Sequence, residues 1–466
     1  MAELWELGAL ELATAIRTGE ASACDAVEAC IDRIDAVNGG VNAVTVVYAD
    51  AARAAAAAAD AKHAAGEALG PLHGVPLGVK ENIDVRGWPT TWGVPAFAEA
   101  PAPQDAPIVA QLKAAGAIPL AATNLPDFAL RWHTDSSLRG ATRNPWAQDR
   151  TPGGSSGGSA AALATGMVPL ALGNDLGGSL RVPAQYCGVS SVRPSHGRIA
   201  RSSATMRAEL PISFQLMYVE GLMARSPGDV QSALATCCHF DARDPWWVPA
   251  PLGQPAGALP KVAVSIDPGA MGVDPQVADG VRKAADALAD AGYPLEEVDP
   301  PDVAEALRTW QLLLFNEVRI MMLDTIEQLS MPDAPASLAL CDPFVPTLDK
   351  DDLVRTFAER TRLLRDWLMF FQRYPLLLGP VSTEPPFILG ADLESTERSK
   401  RLMDSMRLVV AVNLLGLPVS VVPAGVAEGL PQAVQIIGPP FAEERCLQAG
   451  VAVAAALGAV TPIDPR

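Results

Sequence analysis

Two glycine- and serine-rich clusters and one lysine are the residues of this 466-residue chain best suited to chemistry. The first cluster is Gly153-Gly154-Ser155-Ser156-Gly157-Gly158-Ser159, which leads directly into the helix former AAALA. The second is Asp175-Leu176-Gly177-Gly178-Ser179-Leu180-Arg181-Val182-Pro183. Glycines flanking a serine let the backbone take positive φ and turn its N–H groups toward a ligand, as a nest for an oxyanion or phosphate requires. Flexible linkers share this composition, but both clusters here lie between apolar strand- and helix-like segments. Neither G-x-x-x-x-G-K-[ST] nor G-x-G-x-x-G is present, so phosphate binding lacks its usual motifs. Gly153-x-Ser155-x-Gly157 fits G-x-S-x-G, yet that turn needs a strand directly before it, and RNPWAQDRTP precedes Ser155. A serine nucleophile also needs a base, and neither cluster holds a histidine. Lys80, which ends the apolar run VPLGVK, is the candidate; the ordinary alternative is a strand-end lysine that reaches to water.

The elements that must position these residues alternate between strand and helix. Residues 22–37 read as an amphipathic helix: Ser22 is the N-cap, Asp25 stands three residues on, and Val27, Cys30, Ile31, Ile34 and Val37 share a face before Gly39-Gly40 stops it. The Ala-rich run 51–65 predicts a second helix ending near Gly66, and further helix signals lie around residues 107–115. Strands are predicted at 75–79, 118–122, 262–266, 376–378, 419–422 and 434–437. This alternation argues for an α/β architecture around a large mixed sheet. The Pro-rich stretch 241–260 reads as a surface crossing between two halves of one body.

Lys80, Ser155 and Ser179, each in its local context, resemble the amidase signature family of serine hydrolases. The resemblance runs through LHGVPLGVKENID, ATNLPDFAL, TRNPW, TPGGSSGGSAAALA, GNDLGGSLRVPAQYCGVSSVRPSHGRI and GLMARSPGDV, and on to LPVSVVPAG and LPQAVQIIGPPF. It is weakest between about 240 and 405. It implies one amidase domain over 1–466, with a catalytic core at 65–230, a variable substrate-pocket region at 240–405 and a C-terminal part, 406–466, that completes the sheet. The implied fold is a large mixed β-sheet covered by helices on both faces. By motif position Ser179 is the implied nucleophile, Ser155 a bridging serine at a cis peptide, and Lys80 the base. The N–H groups of Leu176, Gly177, Gly178 and Ser179 are the implied oxyanion hole. Lysine's ordinary pKa of about 10.4 must fall toward 7 for this role, and desolvation in a Gly/Ser-walled pocket supplies such a shift. Asp175 and Arg181 bracket the nucleophile loop and are expected to pair, and Ser156 is given only a hydrogen-bonding role.

The implied activity is hydrolysis of the carbon–nitrogen bond of a small amide or anilide, with carbamates and esters within the family's range. Four of the nine tryptophans, at 88, 92, 132 and 146, fall beside these motifs. An apolar acyl pocket formed by Trp92, Phe128, Trp132, Met206 and Phe214 is one reading of that bulk, and ordinary core packing is the other. The alternative within the resemblance is the glutaminase subunit of a tRNA-dependent amidotransferase.

Composition narrows the rest. With 35 basic and 53 acidic residues the net charge is −18 and the pI about 4.7, which disfavours nucleic-acid and membrane-surface binding. The N-terminus lacks the basic and apolar regions of a signal peptide, and no run of 18 apolar residues occurs. Seven cysteines without a C-x-x-C pair read as small buried hydrophobes in a reducing, cytoplasmic setting. The five histidines are scattered, so neither a metal nor a cofactor is expected. The small-molecule amide is the expected partner, and the protein itself a monomer or homodimer. A compact chain of this mass exposes roughly 16,600 Å² of the roughly 70,600 Å² it would show unfolded.

Overall fold

The structure, a computed structural model, describes residues 3–206, 208–253 and 258–466. Part of the Pro-rich crossing, residues 254–257, lies outside the described residues. The surface of 16536 Å² is close to the value that mass alone dictates.

Thirteen strands are described: β1 (Val44–Val47), β2 (Pro76–Lys80), β3 (Ile118–Thr123), β4 (Asp135–Ser136), β5 (Gly140–Ala141), β6 (Leu170–Asp175), β7 (Ser190–Arg193), β8 (Val219–Ala224), β9 (Val262–Val264), β10 (Leu295–Glu297), β11 (Leu376–Pro380), β12 (Val419–Ala427) and β13 (Leu430–Ile437). β4 and β5 form a small separate pair. The other eleven make one sheet in the order β1-β3-β2-β6-β8-β7-β12-β13-β11-β9-β10. The sheet is mixed: β2 runs parallel to β3 and β6, whereas β8, β7, β12 and β13 pair antiparallel. Pairing of β7 with β12 joins the N- and C-terminal parts of the chain edge to edge.

Apolar residues on both strand faces explain why helices cover the sheet twice. Leu77, Val79, Leu170 and Leu172 belong to one core, and Val262, Val264, Leu376, Leu378, Val434 and Ile436 to a second. The alternate positions, among them Ala171, Ala263, Leu377 and Ile437, join a third and larger core. Lys80 alternates with Leu77 and Val79 and therefore stands on the side of that larger core, at the C-terminal end of β2.

The predicted elements are found with shifted ends. The helix opened by Ser22 has the expected reciprocal cap: Asp25 N–H donates to Ser22 Oγ and Ser22 N–H to the Asp25 carboxylate, both at 3.0 Å. It does not stop at Gly39-Gly40 but runs Ala23–Val41, ending where Asn42 turns left-handed at φ 55°. Buried Val41 anchors this last turn, and helical glycine costs only about 1 kcal/mol relative to alanine. The Ala-rich helix is Ala49–Ala64 and the next is Pro107–Ala114. No helix of the described residues is long and apolar enough to cross a membrane.

Candidate active site

Because β2 and β6 are parallel neighbours, their C-terminal ends meet at one edge of the sheet, where ligands of α/β proteins commonly bind. Lys80 ends β2, and the Asp175–Pro183 segment leaves β6 at the same edge. The Gly153–Ser159 segment arrives there as the start of the helix Gly157–Ala164. That helix is held on the sheet by Ser159, whose Oγ donates to Leu172 O at 2.8 Å and lies 2.7 Å from Thr123 Oγ1.

Lys80 is 0% exposed. Its Nζ lies 2.7 Å from Ser155 Oγ, 3.0 Å from Ser156 Oγ and 2.7 Å from Asn174 Oδ1. Burial pushes its pKa well below the ordinary 10.5, opposed by the charge of Asp175. A neutral amine has two N–H donors and one lone pair. The Asn174 carbonyl takes one hydrogen and Ser156 Oγ, which itself turns to Asn174 O at 3.4 Å, takes the other. In that neutral form the lone pair would face Ser155, whereas the ammonium form would donate to all three oxygens. The Gly154–Ser155 peptide is cis.

Ser179 is 7% exposed, and among the described residues its hydroxyl has no hydrogen-bond partner. Its carbonyl accepts from Ser156 N at 3.2 Å, which ties the two clusters together. Gly178 takes φ +97°, where an added Cβ would meet Val409 Cγ1 at 2.3 Å, so only glycine fits. Its N–H departs from the sequence expectation: it donates to Asp175 Oδ1 at 2.8 Å and is therefore not free for an oxyanion. The N–H groups of Leu176, Gly177 and Ser179 have no acceptor among the described residues.

Asp175 and Arg181 pair as expected, both fully buried, with Arg181 Nε and Nη2 each 3.0 Å from the carboxylate. Arg181 also donates to Asn413 Oδ1 (2.5 Å), Val409 O (3.0 Å) and Gln435 Oε1 (3.2 Å). Burial would raise the Asp175 pKa, but Arg181, Arg193 and the Asn413 amide outweigh it and hold the carboxyl below its ordinary range.

A cavity opens on Ser179. Its wall includes Trp132, Leu176, Gly177, Trp310, Leu314, Phe315, Leu402 and Met403, with Arg131 and Asp392 as its charged members. Those two neutralise each other, Arg131 Nε and Nη2 lying 2.8 and 3.1 Å from the Asp392 carboxylate. Of the five expected pocket residues, only Trp132 lines this cavity. Phe128 instead packs edge-on against Phe97, at 6.4 Å between centroids. Trp92 sits at φ 52°, its carbonyl accepting from Phe128 N at 2.9 Å. Met206 is half-buried behind Ser203, whose Oγ accepts its N–H at 3.4 Å, and Phe214 belongs to the larger core. Asn174 and Trp310, unremarkable in sequence, are the site residues that sequence reasoning overlooked. No histidine lines the cavity; His133 lies beside Thr151 Oγ1 at 2.9 Å, and burial and Arg131 lower its pKa to about 4.

A family model described as Amidase matches residues 25–447. The chain is similar to an indoleacetamide hydrolase of Bradyrhizobium diazoefficiens, 41% identical over 97% of this chain and 86% of that protein. It is also similar to one of the subunits of the glutamyl-tRNA(Gln) amidotransferase of Moorella thermoacetica, 33% identical over 97% and 96% of the two chains. Among solved structures, a bacterial aryl acylamidase of the amidase signature enzymes superposes with TM-score 0.83 at 27% identity, covering 98% of this chain and 97% of its own.

Proposed function

The chain belongs to the amidase signature family and hydrolyses amide carbon–nitrogen bonds, and from that premise we propose a substrate class and a role for each residue of the site. Ser179 is the nucleophile, Ser155 the bridge and Lys80 the general base. Ser179 Oγ attacks the carbonyl carbon while Ser155 takes its proton and passes its own to the Lys80 lone pair. The carbonyl oxygen, now an anion, is received by the N–H groups of Leu176, Gly177 and Ser179, each such donor being worth about 2.7–4 kcal/mol. Collapse expels the amine, which takes the proton back through Ser155. Water then attacks the acyl-enzyme, giving its proton through Ser155 to Lys80, and the relay returns a proton to Ser179 Oγ as the acid is released. Burial of Lys80 supports this reading, since only a neutral amine can accept the proton.

This assignment fixes the sign of the pH dependence. The Lys80 pKa is lowered, so the base is competent well below pH 10.5 and is lost as pH falls through its folded value. kcat/KM on an uncharged amide is expected to decline with unit slope on the acid side and to be level through pH 9. A rise that begins only near pH 10 would refute a neutral Lys80.

The substrate we infer carries an aryl acyl group, and the observation behind it is the aromatic and aliphatic wall beside Ser179. Trp132 and Trp310 lie near-parallel there, 6.4 Å between centroids and 22° between planes. Burying roughly 100 Å² of aryl surface at about 25 cal/mol per Å² contributes about 2.5 kcal/mol, or on the order of 50-fold in kcat/KM. Indole-3-acetamide and arylacetanilides are therefore expected to exceed acetamide by about that factor, and an aryl carbamate to turn over as well because its carbonyl presents to the same groups. Preference for glutamine would overturn the reading in favour of an amidotransferase component. Arg131 and Asp392, the charged groups available to a zwitterion, are occupied with each other. The assembly we propose is a free-standing enzyme, monomer or homodimer. The seven free cysteines suit a reducing compartment such as the cytoplasm.

A further inference from the structure

In a trans peptide the C=O and the following N–H point in opposite directions, so a donor that holds a carbonyl also aims the next amide. Along the nucleophile loop every carbonyl is held. Asp175 O accepts from Asn413 Nδ2 at 3.4 Å, Leu176 O from Trp310 Nε1 at 3.2 Å, Gly177 O from Trp132 Nε1 at 2.7 Å, and Gly178 O from Val182 N at 2.8 Å. The four peptide planes thus carry the N–H groups of Leu176, Gly177, Gly178 and Ser179 away from these donors. The Gly177–Gly178 plane is fixed at both ends, by Trp132 on its carbonyl and Asp175 on its N–H. Gly177 lies so close to Trp310 that an added Cβ would meet Cζ2 at 2.8 Å.

Two indole N–H groups in the wall of a substrate cavity would ordinarily be available to substrate or water. Here both turn to the loop instead, and only the ring faces remain for an acyl group. We propose that Trp310 and Trp132 are positioning residues: the Trp310 indole N–H, on Leu176 O, aims the Gly177 oxyanion donor, and the Trp132 indole N–H fixes the peptide plane on the other side of Gly177, so the acyl-pocket wall and the oxyanion loop form one hydrogen-bonded unit. An acyl group packed on the rings then steadies the donors that receive its own carbonyl oxygen. The aryl group is thereby read in kcat as well as in KM, as interactions realised in the transition state must be. The proposal rests on Ser179 as nucleophile.

Trp310→Phe and Trp132→Phe keep an aromatic wall and delete only the N–H. For an aryl amide, kcat is expected to fall about ten- to hundredfold, the scale of a small misplacement of catalytic groups, with KM within threefold of the parent. An aldehyde analogue of the acyl group, which forms a tetrahedral adduct, is expected to weaken by the same factor as kcat/KM. The carboxylic acid product, which forms none, should bind within threefold of its parent affinity. A rise in KM at unchanged kcat, or equal weakening of aldehyde and acid, would show a merely space-filling wall and overturn the proposal. Thermal unfolding of each variant accompanies the kinetics. Should Trp310→Phe lose its folded baseline, half-buried Trp132 decides by the same criteria. Ser179→Ala separates the two levels: retained turnover there removes the nucleophile assignment and the proposal with it. Loss there with unchanged kcat in both tryptophan variants removes the proposal alone.

Discussion

Ser179→Ala is expected to lower kcat/KM by about 10⁴-fold or more, and Lys80→Met by a comparable factor, without loss of the folded state. The two deletions should not add. Without the base, Ser179 has no route for its proton, and without the nucleophile a neutral Lys80 has nothing to activate. The double variant is therefore expected to match the worse single one, because groups that act as a unit are grossly non-additive. Ser156→Ala provides the contrast. It removes one of three Lys80 contacts but leaves Ser155 and Asn174 in place, so a loss nearer tenfold is expected, within the range of a single hydrogen bond. Steady-state kinetics on an arylacetamide decides all three. An additive double variant would mean that Ser179 and Lys80 do not act as one unit, and a Ser156 variant as inactive as Ser179→Ala would require the roles of Ser155 and Ser156 to be exchanged.

Arg181→Met should have the largest effect on stability, about 3–5 kcal/mol, because it strips a buried carboxylate of its principal charge partner. Asp175 holds more than the arginine. Its oxygens accept from Gly178 N and Leu180 N, at 2.8 and 3.2 Å, and from Asn413 Nδ2 at 2.7 Å, so the nucleophile loop should loosen along with the global fold. The pH dependence has a definite sign. In the parent protein the Asp175 pKa is depressed on folding, so the group contributes stability fully above its unfolded value of about 3.9, lost as pH falls toward the folded one. Without Arg181 burial dominates and the pKa moves upward. The carboxyl then takes up a proton as pH falls from neutrality, easing the unpaired charge. The stability gap between parent and variant is therefore expected to be widest near pH 7 and to narrow toward pH 5, read as the shift in urea midpoint at each pH. A gap that widened on acidification would mean that the ion pair is not its source.

Patterns local in sequence were legible without the fold. The Ser22 cap, the strands at 118–122 and 434–437, and the glycine-serine clusters depend on neighbours within a few residues. What stayed hidden depends on neighbours far along the chain. Trp310, Leu314, Phe315 and Val318 recur at helical spacing on Val303–Met321 and read as a core-facing stripe; nothing local distinguishes a stripe that faces a cavity from one that faces packed side chains. Trp92 and Phe128 failed as pocket residues for the converse reason. Nearness in sequence to a motif implies nearness in space only where the chain runs straight, and both sit at φ 52°, where it turns. Gly178 was misjudged because its amide belongs to a capping interaction from Asp175, three residues back. Asn174 had no signal at all: an asparagine at a strand end is common, and only the fold brings Lys80 to it.

The Asp175 cluster also sets a timetable. Lys80, Ser155 and Ser179 are all synthesised before residue 180, so the reacting groups exist early in synthesis. Asn413, which bonds both the Asp175 carboxylate and its carbonyl, stands 238 residues later, and Gln435 later still. Strand β7, just past the nucleophile, likewise waits for β12 to cover its edge. At about 5–20 residues per second that interval lasts on the order of ten to fifty seconds. Throughout it the loop has Trp132 and Val182 on its carbonyls but lacks Asn413, which holds the Asp175 carbonyl and carboxylate. A nascent chain therefore carries its nucleophile long before the anchors of its loop are complete, and hydrolytic competence is expected only once the segment with Asn413 and β12 has been made.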